Sequence, residues 1–106
     1  MGNAYFDQIR QQMCVRDPRI SSGRMMRSEA ITYQGKVFAF FSTKQKLVVR
    51  LGKSFQPTEA EADLQPFNPF KNRSAMTGWY EIPFADHRLW EHYCEQALAR
   101  IQSDVS

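Results

Sequence analysis

Cysteine and histidine are nearly absent from this sequence, which has two of each. Cys14 and Cys94 stand far apart in the chain. They make no disulfide framework, and in a reducing compartment both are expected as free thiols. Long apolar runs are lacking too. The longest, Val37 to Phe41 and Leu47 to Val49, fall far short of the roughly 20 residues a membrane-spanning helix needs. The N-terminal stretch MGNAYFDQIRQQM has no basic start followed by an apolar segment and cleavage site, so no secretory signal is expected. Phe6 stands where a chain myristoylated on its second residue needs Ser or Thr. The expected location is therefore cytoplasmic, without membrane contact, and Asn72-Arg-Ser74 is read as a chance sequon. Glycine is scattered. Gly35, Gly52 and Gly78 are isolated, which suits turns and strand irregularities rather than a phosphate-cradling loop.

What is present is the material of one ordinary domain. Apolar residues make up 42% and charged residues 24% of the chain, with eight Phe, four Tyr and two Trp to fill a core. A chain of 106 residues buries about two thirds of the surface its unfolded form exposes, so it needs no metal or disulfide staple. Residues 1–106 are expected to fold as a single domain, the N-terminal helix and turn at 1–19 included.

Phe6, Ile9 and Met13 recur at helical spacing within residues 3–16, and Asp17-Pro18 ends that helix, because the residue before proline is pushed out of the α region. The stretch RISSGR is read as a loop. Three β-like runs follow: Met25 to Tyr33, Lys36 to Thr43, and Gln45 to Leu51. The short polar breaks between them predict antiparallel hairpins, hence a three-stranded meander. In the third run Leu47, Val49 and Leu51 alternate with Lys46, Val48 and Arg50, as a strand with one core face requires. The run VFAFF is apolar on both faces. It is either a central strand covered on both sides or one whose second face meets a partner.

PTEAEADL carries Pro57, Thr58 and Glu61 in helix-start spacing and predicts a short helix. PFNPF is a loop or edge strand, MTGWYEIP a strand closed by Pro83, and a last helix runs from an N-cap near Asp86 to Ile101. The order α-βββ-α-β(β)-α, with an antiparallel sheet of four or five strands against helices, is a two-layer α+β domain.

The stretch HRLWEHYC holds both histidines and Cys94 within eight residues. Wound into a helix it comes apart: Trp90, Cys94, Ala97 and Ile101 share a core stripe, while His92 lies roughly 160° away from Cys94. Neither pair has the spacing of a zinc site. His87 and Glu91 share a face at i, i+4 and form at most a surface pair. Cys14 has no charged companion but Arg10, which argues against a reactive thiolate. Glu59, Glu61 and Asp63 are read as a solvated acidic helix start rather than a cation site. No catalytic set, metal or cofactor is implied. A small pocket beside the last helix using Tyr80, His87 and Glu91 is the remaining route to a ligand binder or small enzyme.

The net charge of +3 permits nucleic acid binding without requiring it. One distributed feature is basic. Arg24, Arg27, Lys36, Lys44, Lys46, Arg50 and Lys53 all fall on the meander and its turns, opposed there only by Glu29. Interleaved with Phe38 and Phe40, they are candidate contacts to a nucleic acid backbone or to another partner. The alternative is a solvated face whose charges discourage edge pairing.

These residues carry a resemblance. Arg24-Met25-Met26, the Gly35-Lys36-Val37-Phe38-Ala39 hairpin, the strand Leu47 to Leu51, the strand Trp79 to Pro83 and a last helix with Trp90, Ala97 and Ala99 together resemble the N-terminal domain of the TfoX/Sxy family, regulators of bacterial natural competence. The match covers about residues 20–103. Where the family often shows Arg-x-Met-Phe followed in many members by Gly-Gly, this chain has Arg24-Met25-Met26 followed by Arg27-Ser28. The resemblance implies a stand-alone short member without the family's C-terminal helical domain, and a fold similar to secretion chaperones and small double-wing DNA-binding proteins. The resulting expectation is a non-enzymatic regulatory module that binds a protein partner or forms a homodimer, with nucleic acid binding through the basic meander as the alternative.

Overall fold

The computed structural model describes residues 3–25, 28–53, 55, 64–68 and 78–105. The segments predicted as a short helix around Pro57 to Leu64 and as the strand start at Met76-Thr77 fall outside them, Leu64 excepted, as does Arg27.

Helix α1 spans Ala4–Arg16. It starts where Asn3 turns its side-chain oxygen onto the backbone N–H groups of Tyr5 and Phe6, filling two of the donors every helix start leaves open. It stops at Asp17, whose backbone is extended ahead of Pro18. Its buried residues are the predicted Phe6, Ile9 and Met13.

Six antiparallel strands follow: β1 Ile20–Met25, β2 Ser28–Tyr33, β3 Lys36–Phe41, β4 Leu47–Arg50, β5 Gln65–Pro66 and β6 Trp79–Ile82. They form one sheet in the order β1-β2-β3-β4-β6-β5. A 3-10 helix at Phe84–Leu89, kinked at Asp86, leads into α2, Trp90–Val105. The α+β class with an antiparallel sheet is as the sequence pattern predicts. The details differ in three places.

RISSGR is not a loop: it is most of β1, paired with β2 from Ile20 against Tyr33 to Met25 against Ser28. Only Ile20 of this strand is buried, so an edge strand whose side chains face water has the composition of a loop. The meander therefore has four strands, and the run from Met25 to Tyr33 is the end of one and the whole of the next. Asp86 does not cap the last helix. It sits inside the 3-10 turn with non-helical backbone angles, and the α-helix proper begins four residues later.

The turn at Gln34-Gly35 has positive φ at both residues, 50° and 84°, as a two-residue type I′ hairpin requires. Gln34 accepts that cost, whereas Gly35 has none to accept.

A β-bulge shapes the centre of the sheet. Ala30 faces Phe40 and Ile31 faces Ala39, but Thr32 faces Val37, which leaves Phe38 as the extra residue of β3. Phe38 and Ala39 consequently both enter the core on the helix side, together with Phe41, while Val37 and Phe40 belong to the opposite cluster. The run VFAFF is apolar throughout because it supplies two cores.

The helix-side core joins Phe6, Ile9 and Met13 of α1 and Trp90, Cys94, Ala97 and Ile101 of α2 to the inner residues of β2, β3, β4 and β6. Trp90 is fully buried and its indole N–H donates to the Pro83 carbonyl at 3.3 Å. The opposite face is closed by the chain itself: Phe40 and Val48 are 1% and 0% exposed, and the rings of Phe67 and Trp79 lie 5.3 and 5.8 Å from Phe40. Of the two readings of VFAFF, the covered central strand is the one observed.

Candidate functional site

The last helix separates the residues of HRLWEHYC as its periodicity demands. Cys94 is fully buried, and burial pushes its thiol far above the usual range, so it is packing material. His92 is exposed and its Nε2 lies 2.6 Å from the Gln96 side chain. His87 does not align with Glu91, because it sits in the 3-10 turn rather than the α-helix. Its Nδ1 is 2.9 Å from the Phe84 carbonyl oxygen, and its ring stacks on Phe84 at 4.6 Å. Tyr80 lies elsewhere, its ring tilted against that of Phe55 at 5.4 Å, and Tyr80, His87 and Glu91 line none of the three clefts beside the cations. Among the described residues no three His, Cys, Asp or Glu side chains gather as a metal ion would need. Glu59, Glu61 and Asp63 lie outside those residues.

The basic residues of the meander divide. Strand register sets Lys36 and Arg50 at one end of the sheet, with Lys53 just beyond, and Lys44 and Lys46 at the other. Two of them are already paired inside the chain. Arg50 reaches Asp104 of α2 at 2.9 Å, and Asp104 also lies 3.6 Å from Arg100. Lys46 lies 3.5 Å from Glu81 on β6. Arg24 stands opposite Glu29 across β1 and β2 on the helix side, but Glu29 turns to Arg10 of α1 at 3.3 Å. Its buried oxygen makes no hydrogen bond there, so this is a contact of charges without good alignment. Arg24, Lys36, Lys44 and Lys53 have no ion-pair partner among the described residues.

Three clefts accompany these cations. Arg10, Arg24 and Glu29 line an open depression of about 290 Å³ at the β1 edge. Lys36, Arg50 and half-buried Trp79 line one of about 200 Å³ near the end of α2. A third, of about 150 Å³, lies on the covered face beside Lys44.

The sequence pattern did not single out one group. Tyr5 of α1 and Phe84 and His87 of the 3-10 turn form an aromatic corner, with Tyr5 4.4 Å from His87 and 5.5 Å from Phe84. Tyr5 is 47% and Phe84 43% exposed, unusual for large rings in mutual contact. Its members are eighty residues apart in the chain, and only the docking of α1 beside the 3-10 turn brings them together. The available signal was that neither Tyr5 nor Phe84 belongs to the core stripe of its own element.

Compared with known proteins, the chain matches no family model, no curated protein and no solved structure. No helix among the described residues is long and apolar enough to cross a membrane.

Proposed function

We propose that this chain is a non-enzymatic binding module that acts through protein–protein contact, with a partner or with a second copy of itself, in a regulatory role of the kind that resemblance to the TfoX/Sxy N-terminal domain implies. The observation that carries this reading is the aromatic corner of Tyr5, Phe84 and His87. Tyrosine and phenylalanine are the side chains interfaces enrich, because a large rigid ring buries much area at small entropic cost. The contact surface is thereby moved from the strand Val37 to Phe41, whose two faces the chain covers itself. Sedimentation of the wild type at micromolar concentration, together with capture from a native lysate, tests the reading. Association or capture that is lost in the Tyr5→Ser, Phe84→Ser double variant supports it. A strict monomer that captures no protein overturns it, and so does capture unaffected by the double variant.

A second reading, nucleic acid binding, has one observation in its favour: Lys36 and Arg50 flank half-buried Trp79, pairing cations with a ring on which a base can stack. Binding of single-stranded DNA should then weaken steeply with salt, and further when Lys36 and Arg50 are both changed to Gln. The absence of any retardation at low salt disposes of it.

A further inference from the structure

The geometry points to a binding pocket for a small organic monoanion, a carboxylate on a benzene-sized apolar body, at the Lys44 end of the face opposite the helices. The cleft of about 150 Å³ is lined by Phe40 and Phe67 as an apolar floor and by Ser28, Ser42, Thr43, Lys44 and Asn68 as a polar rim. Each group is placed by a different part of the fold. The β2–β3 register that sets Ala30 against Phe40, continued by two residues, brings Ser28 opposite Ser42. Phe67 is held by its backbone N–H, which donates to the Trp79 carbonyl at 2.9 Å, and its ring meets Phe40 edge to face, 79° between planes. The three-residue loop Thr43–Gln45 closes through Gln45, whose φ is +65°, and through the Ser42 and Lys46 backbones, 2.9 Å apart from N to O.

The chemistry of the rim decides the ligand class. Ser42 is occupied, its hydroxyl accepting from the Lys46 backbone N–H at 3.3 Å. Ser28 is only 7% exposed, and its hydroxyl has no hydrogen-bond partner among the described residues. Ser28 lines the cleft, where a ligand acceptor can take the place of water on its hydroxyl. Among the described residues Lys44 has no anionic partner and is the one cation lining the cleft. One ammonium and two hydroxyl donors complement one carboxylate. A doubly charged phosphate would ask for more positive charge than these groups offer. The apolar floor calls for a ring or short chain behind the charged head, and about 150 Å³ is the size of cavity that takes benzene. The pocket is independent of the aromatic corner on the helix side, so either can fail without the other.

Amide chemical-shift titration of the full chain with sodium benzoate, benzyl alcohol and inorganic phosphate at neutral pH tests the assignment. Benzoate should shift Ser28, Thr43, Lys44 and Phe67 saturably, with a Kd of about 1 mM. Benzyl alcohol, the same body without the charge, should bind about tenfold more weakly. Lys44→Gln, in an exposed turn where folding is safe, should weaken benzoate by a similar factor, and Ser28→Ala by about threefold. No saturable shift with benzoate overturns the proposal. Equal binding of benzyl alcohol, or an unchanged Kd in Lys44→Gln, removes the anion from it. Phosphate competing as well as benzoate removes the apolar body, and the assignment with it.

Discussion

The two faces of the sheet are cut from the same strands and closed in different ways. On the helix side, the two helices and the inner face of the sheet together bury twenty residues of the described chain in one cluster. On the other side, among the described residues, Ala30, Phe40, Val48 and Phe67 form a buried cluster, with Met25, Val37 and Trp79 half-covering it. Serines and a threonine occupy the rest: Ser28, Thr32 and Ser42 are all nearly buried there. The thick side is filled at its centre, and what it offers lies at its margins: the aromatic corner of Tyr5, Phe84 and His87 and the depression beside Arg10, Arg24 and Glu29. The thin side leaves polar groups and a cleft at each of its two ends.

The sharpest test of that contrast is to remove one large ring from each side. Trp90→Ala takes away a fully buried indole and its hydrogen bond to the Pro83 carbonyl, and should cost about 4 kcal/mol, a large share of the roughly 5–15 kcal/mol a domain has. Phe67→Ala opens the smaller of the two clusters of described residues, into which neighbours and water can move, and should cost about 2 kcal/mol. Urea unfolding midpoints compare the two, with Trp90→Phe as the milder substitute should Trp90→Ala fail to fold. Equal losses would mean that the second face is as tightly packed as the first, and the contrast would collapse.

What could be read in the sequence follows the same division. Helix α1 with Phe6, Ile9 and Met13, and the stripe of Trp90, Cys94, Ala97 and Ile101, were legible because a thick core imposes helical period on whatever covers it. The double burial of β3 was legible as a run apolar on both faces, but its bulge at Phe38 was not, since an extra residue leaves no mark on composition. Strand β1 was lost because an edge strand buries one residue in six here and otherwise obeys the rules of loops. The candidate site fared unevenly for a different reason. The cations of the meander were legible one by one, whereas their partners Glu81 and Asp104, which sit 35 and 54 residues away, belong to elements that only tertiary packing brings near. The aromatic corner has the same origin: proximity across eighty residues is a property of docking, and no local period reports it.

Gly52 shows how closely the last helix is fitted to the sheet on the thick side. Its φ is +89°, and a Cβ built there would stand 2.8 Å from Nε of Arg100. The backbone conformation is one that L side chains rarely adopt, and the guanidinium of α2 lies over the open space that glycine leaves.

The smallest expected effect concerns how the two helices are tied at the surface. Arg16, at the end of α1, meets both oxygens of Glu95 on α2, with Nη2 2.8 Å from Oε1. The hydrogen bonds from Arg16, helped by its charge and opposed by partial burial, hold the Glu95 carboxyl below the usual carboxylate range. In the unfolded chain that carboxyl returns to about 4.3. Between the lowered native value and that unfolded value the unfolded state binds more protons, so stability rises with pH across the window. The contribution is complete above the unfolded pKa and is lost as pH falls through the native one. Both side chains are more than a third exposed, 51% and 38%, so water and salt screen the pair, and its worth is about 0.5 kcal/mol. Urea midpoints of wild type and Glu95→Gln, taken from neutral pH down to about pH 3, should differ by that amount at neutrality and converge in acid. The gap should also narrow in roughly 1 M salt, where the screening length falls to about 3 Å. A gap that persists unchanged into acid would belong to the packing of the Glu95 stem rather than to its charge.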